Sequence, residues 1–379
     1  MISSHSSSKS WNQVTIDAQA LQANFRTLQQ RLGQNVRVMA MVKADAYGHG
    51  MIPAAINFAK AGCDAFGVAE IGEGVQLRRA GICGQILVVL GFQASEYQLF
   101  FDYDLTPVIF DYQALALLSQ AAVRNGKELA VHLKIDCGMG RLGIMPSELP
   151  EFLSHFERLP GITLAGIMSH FPMADDAASG HTLEMFQRYK MSWAQSKQQP
   201  PALCHIANSG GALYFPETCC DMVRLGISLY GYYPDGAQGQ EGEGTVKLIP
   251  AMSFTSQVVQ VKSVPAGTGI SYGHTFVTKQ ETKIAVLPVG YGNGFLRTLS
   301  NKAQVLIKGQ RAPVIGRVCM NLCMADISAI PGVGQGEPVV ILGSQGAETI
   351  TADEIAEWMG TISYEVLCLL GNNNERNLN

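Results

Sequence analysis

The segment VRVMAMVKADAYGHGMIPAAINFAKAGCDAFGVAE, residues 36–70, contains one complete strand–helix–strand repeat. Apolar and β-branched residues fill Val36–Lys43 and Asp64–Glu70, which is typical of buried strands. Between them, Met51–Lys60 has the pattern of an amphipathic helix, and Ala61–Gly62 marks its end. We therefore predict a strand, a helix and a second strand in this segment.

The same unit recurs along the first two thirds of the chain. Six further strand candidates follow, at Gln85–Leu90, Thr106–Phe110, Ala130–Asp136, Thr163–His170, Leu203–Ala207 and Met222–Gly226. Helical patterns such as Ile71–Ala80, Ala114–Arg124 and Leu183–Lys197 lie between them. Eight strands alternating with helices over roughly 200 residues predict an α/β fold of the (β/α)8 TIM-like barrel type. A doubly wound open sheet is the alternative that the pattern leaves open.

A different pattern follows the predicted barrel. Pro234–Val246, PDGAQGQEGEGTV, is polar and Gly-rich, and we predict a linker or loop there. The chain beyond it has short β-rich runs and one helical pattern, Ala352–Met359. We place a barrel domain at residues 12–240 and a β-rich C-terminal domain at 241–379. The β-like run Asn12–Ile16 is a candidate partner strand for that second domain.

Composition excludes several classes of protein. The 379 residues are 47% hydrophobic, which is enough for sizeable cores, and 27 basic residues stand against 31 acidic ones without a basic run. Nothing therefore favours a nucleic-acid partner or an anionic membrane. The Ser-rich start has no apolar core of the kind that a signal peptide needs, and no apolar run could span a bilayer. Nine scattered cysteines without a C-x-x-C pair favour reduced thiols, no metal site and a cytoplasmic location.

The motif Val42–Gly50 combines residue types that suit covalent chemistry. Lys43 ends an apolar strand, and barrel enzymes keep their chemistry at the carboxyl ends of the strands. Burial there lowers the pKa of a lysine and yields the free amine that a Schiff base requires. Tyr47 can donate to an anion, and Gly48 and Gly50 allow close backbone approach. A lysine that simply reaches solvent is the alternative for an isolated residue.

A second block, His132–Gly143, carries an unusual strand. Alternation along it places His132, Lys134 and Asp136 on one face. A polar face inside a barrel requires either a function or an internal ion pair between Lys134 and Asp136, and the sequence leaves both open.

The nonapeptide VKADAYGHG at 42–50 resembles the cofactor-attachment signature of alanine racemases, and blocks from Phe66–Glu70 to Tyr364 match that family in order. The resemblance implies pyridoxal 5′-phosphate (PLP) held as a Schiff base on Lys43, an amino-acid substrate and a homodimer with shared active sites. It assigns cofactor binding to Tyr47, His170, Asn208, Ser209, Arg224, Gly226, Ile227 and Tyr364, substrate binding to Arg141 and Met320, and the entrance to Tyr291 and Tyr364. It also makes Lys134 a candidate N6-carboxylysine that holds Arg141.

The resemblance further implies a two-base mechanism. Racemisation needs one base on each face of a planar intermediate, and Lys43 serves one face. Tyr272, in Gly269–Gly273, corresponds to the second base, which the partner subunit supplies. Ionising a tyrosine at pH 7 costs about 4 kcal/mol, and we expect His170 and Arg224 to lower that cost. Arg224 is expected to donate to the pyridine nitrogen, which keeps the ring a weak electron sink.

Some positions depart from the family pattern. Asn293 and Asn321 stand where the family generally has Asp, Ser363 replaces an Asn, and the tail GNNNERNLN is atypical. These departures leave the substrate range open, and a racemase that is broader or favours serine is the nearest alternative. A PLP carrier is disfavoured by the β domain that holds Tyr272, and a PLP-dependent decarboxylase is disfavoured by Arg224. A metal hydrolase using Lys134 lacks a His-x-His ligand pair.

Overall fold

The computed structural model describes residues 10–194, 203–236 and 246–379. Two compact units divide the chain: a barrel unit, Gln19–Ala46 with Met51–Ile249, and a β unit, Met1–Ala18 with Tyr47–Gly50 and Pro250–Asn379. Most of the predicted linker, the predicted boundary at 240 and the last residues of the helix predicted to Lys197 lie outside the described residues. The boundary therefore stays a prediction.

The barrel unit is built on eight parallel strands. With β1 (Gln13–Ile16) assigned to the β unit, they are β2 Arg37–Met41, β3 Ala65–Val68, β4 Gln85–Val88, β5 Thr106–Ile109, β6 Leu129–Lys134, β7 Ile162–Met168, β8 Leu203–His205 and β9 Met222–Leu225. Each strand from β2 to β7 pairs with the next, and β9 pairs with β2. Asp221 and Arg224 donate backbone N–H groups to the carbonyls of Cys204 and Ala207, which joins β8 to β9. The predicted (β/α)8 barrel is confirmed, and the open sheet is wrong.

Helices follow the strands of the barrel unit. They are α1 Ala18–Leu32, α2 Met51–Lys60, α3 Ile71–Arg79, α4 Gln98–Asp102, α5 Tyr112–Asn125, α6 Leu149–Phe156, α7 His181–Ala194 and α8 Ser209–Tyr214. Local signals set their ends: the Asp111 carboxylate accepts from the N–H of Ala114 at the start of α5, and Gly126 ends that helix with a φ of 60°. The helices bury one apolar stripe each, as Leu115 and Leu118 do in α5. None of the helices described here is both long enough and apolar enough to cross a membrane.

The β unit consists mainly of antiparallel strands. Besides β1 they are β10 Met252–Gln257, β11 Gln260–Val264, β12 Gly269–Ile270, β13 Phe276–Val277, β14 Thr282–Leu287, β15 Gln304–Ile307, β16 Gln310–Pro313, β17 Cys323–Asp326, β18 Pro338–Gln345, β19 Glu348–Ile350 and β20 Arg376–Leu378. The largest sheet has the order β16-β15-β18-β10-β1-β20, with β19 added to β18. Within it, β1 is antiparallel to β10 and parallel to β20. The predicted mostly β C-terminal domain is confirmed.

The described part of the β unit also contains two α-helices, α9 Ala352–Met359 and α10 Ser363–Asn372. The sequence predicted only the first of them, so the prediction of a single helix is wrong. Gly371 and Cys368 give α10 a weak intrinsic helix preference, and its packing against α9 overrides that preference. The helix positions Tyr364 in its first turn.

Candidate active site

Lys43 lies at the carboxyl end of β2, at the start of a left-handed turn. Ala44, Asp45, Ala46 and Tyr47 have φ values of 53°, 51°, 55° and 56°. This conformation costs about 1–2 kcal/mol for each residue that is not glycine, so the surrounding structure must hold it. The strain is concentrated directly after the lysine that the sequence singles out.

Two carboxylates of the barrel unit stabilise the turn. Glu73 accepts from the N–H of Ala44 at 2.9 Å with one oxygen, and from the N–H of Ala69 at 2.6 Å with the other. The Asp45 carboxylate accepts from the N–H of Met51 at 2.6 Å. Sequence reasoning missed Glu73, although its place three residues after Glu70 is the signal of a capping box.

Lys134 is buried at the end of β6. Burial, and then Arg224 and Arg141, lower the pKa of this lysine to about 8. Asp136 opposes that shift, but its carboxylate accepts from the backbone N–H groups of residues 138–141, and these bonds lower the pKa of Asp136. No ion pair joins Lys134 to Asp136 in the described part of the chain, so the ion-pair alternative is not supported. Lys134 therefore belongs to a cluster of cations.

Arg224, on β9, is the most deeply buried of these cations, and neutral groups hold it. Its Nη2 donates to the carbonyls of Ser169 at 2.6 Å and Ile206 at 3.1 Å and lies 3.1 Å from Nδ1 of His170. Its Nη1 donates to the carbonyl of His205 and lies 2.9 Å from Nδ1 of the same ring. None of these bonds uses Nε. Burial lowers the pKa of Arg224 to about 10. Burial, and then the positive charge of Arg224, hold the pKa of His170 well below its usual value.

A group of buried donors lies at the carboxyl ends of β8 and β9. Ser209 begins α8, and its Oγ accepts from the N–H of Gly226 at 3.0 Å and lies 3.0 Å from the Oγ of Ser228. Asn208 caps the helix by accepting from the N–H of Gly211. Ile227, buried, starts the single turn of 3-10 helix that contains Ser228. Hydroxyls and amides at this end of a barrel suit an anion, and sequence reasoning missed Ser228.

The β unit brings Tyr47 and Tyr364 together, with ring centroids 6.0 Å apart. Burial raises the pKa of Tyr47, so its phenol stays protonated and able to donate. Gly48 and Gly371 allow the motif to lie against α10: a Cβ on Gly48 would be 2.3 Å from the carbonyl oxygen of Leu367, and one on Gly371 would be 1.9 Å from that of Gly48. The close backbone approach predicted for Gly48 therefore serves packing inside the β unit.

Three further predicted residues lie on loops of the same unit. Tyr272, Met320 and Tyr291 are 70%, 58% and 40% exposed. Segment 317–320 joins the three loops, because its carbonyls accept from Ser271 Oγ at 2.6 Å, from the N–H of Tyr291 at 3.0 Å and from that of Gly292 at 2.8 Å. Two exposed aromatic rings and a methionine on one set of connected loops are typical of an interaction surface.

Asn293 and the C-terminal tail, both predicted to be atypical, contact each other. Asn293 donates to the side-chain oxygen of Asn374 at 3.1 Å, and Asn374 donates back to the carbonyl of Asn293 at 2.9 Å. Arg376, in the same tail, donates to the carbonyl of Gly48 at 3.1 Å. The atypical tail and the atypical Asn293 therefore stabilise each other. Ser363, a further departure, is buried at the start of α10.

The predicted residues fall into two groups, one in each unit. The barrel unit holds Lys43, Lys134, Arg141, His170, Asn208, Ser209, Arg224, Gly226 and Ile227, and the β unit holds Tyr47, Tyr272, Tyr291, Met320 and Tyr364. Within residues 10–194, 203–236 and 246–379, no three His, Cys, Asp or Glu side chains are grouped so as to hold a metal ion. A buried lysine-and-arginine cluster with neutral histidines and hydroxyls can bind anions and supply an amine base.

Comparison with known proteins identifies the family. Residues 16–234 match the family model "Alanine racemase, N-terminal domain", and residues 251–378 match "Alanine racemase, C-terminal domain". The alanine racemase of Halothermothrix orenii is 41% identical over 355 residues, 93% of each chain. The alanine racemase of D-cycloserine-producing Streptomyces lavendulae has a TM-score of 0.91 at 31% identity, over 98% of this chain and 97% of its own. That of Bartonella henselae, solved with covalently bound pyridoxal phosphate, has a TM-score of 0.87 at 27% identity, over 98% and 100%. The chain belongs to the alanine racemase family.

Proposed function

We propose that this protein is a PLP-dependent alanine racemase that interconverts L- and D-alanine. The observation that carries the proposal is the position of Lys43 at the carboxyl end of β2, beside the strand that carries the buried Arg224. The relative from Bartonella henselae binds pyridoxal phosphate covalently, and Lys43 is the residue that we assign to this attachment.

The residues of the barrel unit fit that cofactor. Ser209, Ser228 and the N–H of Gly226 form a buried hydrogen-bonded group with Asn208 and Ile227 beside it, and we propose that its donors turn to the phosphate. Tyr47 and Tyr364 are proposed as further phosphate ligands. Arg224 is proposed to donate its Nε–H to the ring nitrogen, because its other nitrogens are engaged by neutral acceptors. His170 is proposed to lie beside the cofactor.

Arg224 is proposed to set the protonation state of the pyridine nitrogen of PLP. PLP, when bound, withdraws electrons from the Cα–H bond of the amino acid and so acidifies it. An arginine remains a cation, and a second positive charge on the ring nitrogen facing it is disfavoured. By keeping that nitrogen unprotonated, Arg224 would favour return of the proton to Cα over side reactions.

The proton is moved by two residues on opposite faces. We propose Lys43 for one face and Tyr272 of the partner subunit for the other. The exposure of Tyr272 and Met320 on connected loops supports a homodimer that covers them. Arg141 and the backbone amide of Met320 are proposed to bind the substrate carboxylate, and Tyr291 with Tyr364 to narrow the entrance. A narrow entrance favours a methyl side chain.

The substrate range tests the proposal. Purified protein supplied with PLP should racemise L-alanine with a kcat/KM at least about tenfold above those for L-serine and L-lysine, because a tight pocket discriminates by that factor for a few added atoms. Chiral chromatography of each amino acid measures the three rates. Equal kcat/KM values for alanine and lysine would contradict the narrow entrance, and a higher kcat/KM for serine would favour the alternative of a serine racemase.

Lys134 is proposed to be an N6-carboxylysine. Its Nζ as a free amine attacks CO2, forming a C–N bond while one C=O bond becomes C–O⁻ and the amine loses a proton. A pKa of about 8 leaves a useful share of free amine near neutral pH. The product replaces a cation with an anion among Arg141, Arg224 and Lys43, which removes mutual repulsion.

Growth on ¹³C-bicarbonate should produce a carbamate carbon signal in wild-type protein that is missing from the Lys134→Ala variant. We expect this variant to lose about tenfold to a hundredfold in kcat/KM, because Arg141 loses its anionic partner, and added acetate to restore part of the loss. Lys127→Ala, which changes an exposed lysine two residues before the start of the same strand, is the matched control and should keep both signal and rate. A wild-type protein without the carbamate signal at full activity would refute the assignment.

A further inference from the structure

A chain of polar side chains crosses the interior of the barrel unit. Arg37, Gln85, His132 and His205 come from β2, β4, β6 and β8, which are alternate strands of the barrel. In this fold, alternate strands supply the four side chains of one internal layer, and those side chains are usually apolar and branched. A polar layer here calls for an explanation that the cofactor contacts do not provide.

Hydrogen-bond distances connect this layer to Arg224. Nη1 of Arg37 lies 2.9 Å from the amide oxygen of Gln85, and the amide nitrogen of Gln85 lies 3.3 Å from Nε2 of His132. Nδ1 of His132 lies 2.7 Å from Nε2 of His205, and Nδ1 of His205 lies 2.9 Å from Nη1 of Arg224. Both imidazoles are fully buried.

Arg224 determines which nitrogen of each imidazole ring carries the proton. A guanidinium only donates, so Nδ1 of His205 must accept, and the ring proton of this histidine is on Nε2. Nδ1 of His132 must then accept from His205, which places the proton of His132 on Nε2. This proton points at Gln85, and only the amide oxygen can accept it. The oxygen of Gln85 reaches this position by an amide flip, which exchanges the positions of its side-chain oxygen and nitrogen.

The opposite orientation of the Gln85 amide leaves two buried N–H groups, one on each histidine, facing each other. If the Gln85 nitrogen donated to His132, the proton of His132 would be on Nδ1, 2.7 Å from the proton-bearing Nε2 of His205. Turning the amide instead places its NH2 group where its oxygen accepts from Nη1 of Arg37, so Arg37 must turn away from it. The Arg37 side chain is partly exposed, which allows this movement, and it keeps its ion pair with Asp64 at 2.9 Å. An unmet bond at the rim costs less than a donor pair in the core.

We propose that Gln85 is a positioning residue for Arg224. Its amide oxygen accepts from His132, fixes both imidazoles with protons on Nε2 and keeps Nδ1 of His205 as an acceptor that holds the guanidinium in place. The proposal deepens the proposed function, since it rests on Arg224 facing the cofactor ring. Burial, followed by Arg224, lowers the pKa of His132 to about 4 and that of His205 well below its usual value, so both rings are neutral.

Nitrogen NMR of the full-length, PLP-loaded protein with ¹⁵N-labelled histidine tests this arrangement, because long-range ring correlations identify the protonated nitrogen. Signals are assigned with His132→Asn and His205→Asn variants. In wild type we expect protons on Nε2 of both rings. Gln85→Glu keeps an acceptor and should preserve this pattern, whereas Gln85→Met, of similar size but without a good acceptor, should give mixed tautomers at His132.

Activity provides the second readout. Gln85→Met should lower kcat for alanine about tenfold with KM changed less than about twofold, since Arg224 is loosened but the substrate contacts remain. Gln85→Glu should restore most of the rate, and Arg37→Met should alter neither tautomers nor rate. A proton on Nδ1 of His132 in wild type, or a changed tautomer in Arg37→Met, overturns the proposal. Wild-type protein with the expected tautomers but no racemisation would instead refute the proposed function.

Discussion

Replacing Lys43 with alanine should abolish alanine racemisation and the visible absorption of bound PLP together. The amine is proposed both to attach the cofactor and to move the proton on one face, so its removal takes away both functions. We expect kcat/KM to fall at least about 10³-fold, which is typical when a nucleophile and base is removed. Chiral chromatography of the product and the absorption spectrum of the purified protein measure the two losses.

The Lys60→Ala variant is the matched control for this experiment. Lys60 is an exposed lysine at the end of α2, and Lys60→Ala removes the same type of side chain without touching the strand end. Thermal unfolding of both variants shows whether the left-handed turn after Lys43 still holds. A Lys43→Ala protein that keeps the visible band would mean that another amine carries the cofactor.

The barrel could be predicted because its information is local. Each predicted strand is a largely apolar run of five to eight residues, and a glycine follows most helices, so the repeat of strand and helix is visible in the sequence. The motif at 42–50 likewise places a costly lysine at a strand end. The observed ends of the strands differ from the predicted ends by only a few positions. The strand predicted at Val36–Lys43, for example, is Arg37–Met41 in the structure.

The rest depends on contacts between distant residues. Nothing in the letters Ala-Asp-Ala-Tyr indicates a left-handed turn, which Glu73 holds from 29 residues away. The pair His132–His205 is separated by 73 residues, so its hydrogen bond is invisible until the barrel closes. Asn293 reads as a lost carboxylate in the sequence, but in the structure it is the partner of Asn374.

Tyr272→Phe should be the second change with a large effect. Without a base on one face, racemisation should fall at least about 10³-fold, while Lys43 still exchanges the α-hydrogen of one enantiomer with solvent. Incubation of each enantiomer in D2O, followed by mass spectrometry, should therefore show exchange in one of them only. Tyr112→Phe, which changes an exposed tyrosine on α5, is the control. Exchange retained in both enantiomers would mean that another residue serves as the second base.

A complementation experiment tests whether Tyr272 acts in the active site of the partner subunit. It compares two ways of distributing the same two mutations between the subunits. Two heterodimers are isolated by means of two affinity tags. The first carries Lys43→Ala in one subunit and Tyr272→Phe in the other. The second carries both changes in one subunit and none in the other. If the tyrosine acts across the interface, the first heterodimer keeps one intact site of two and about half of wild-type activity, and the second keeps none. If it acts within its own subunit, the second is half active and the first is inactive. Both heterodimers contain the same substitutions, so differences in folding or PLP content cannot produce this reversal.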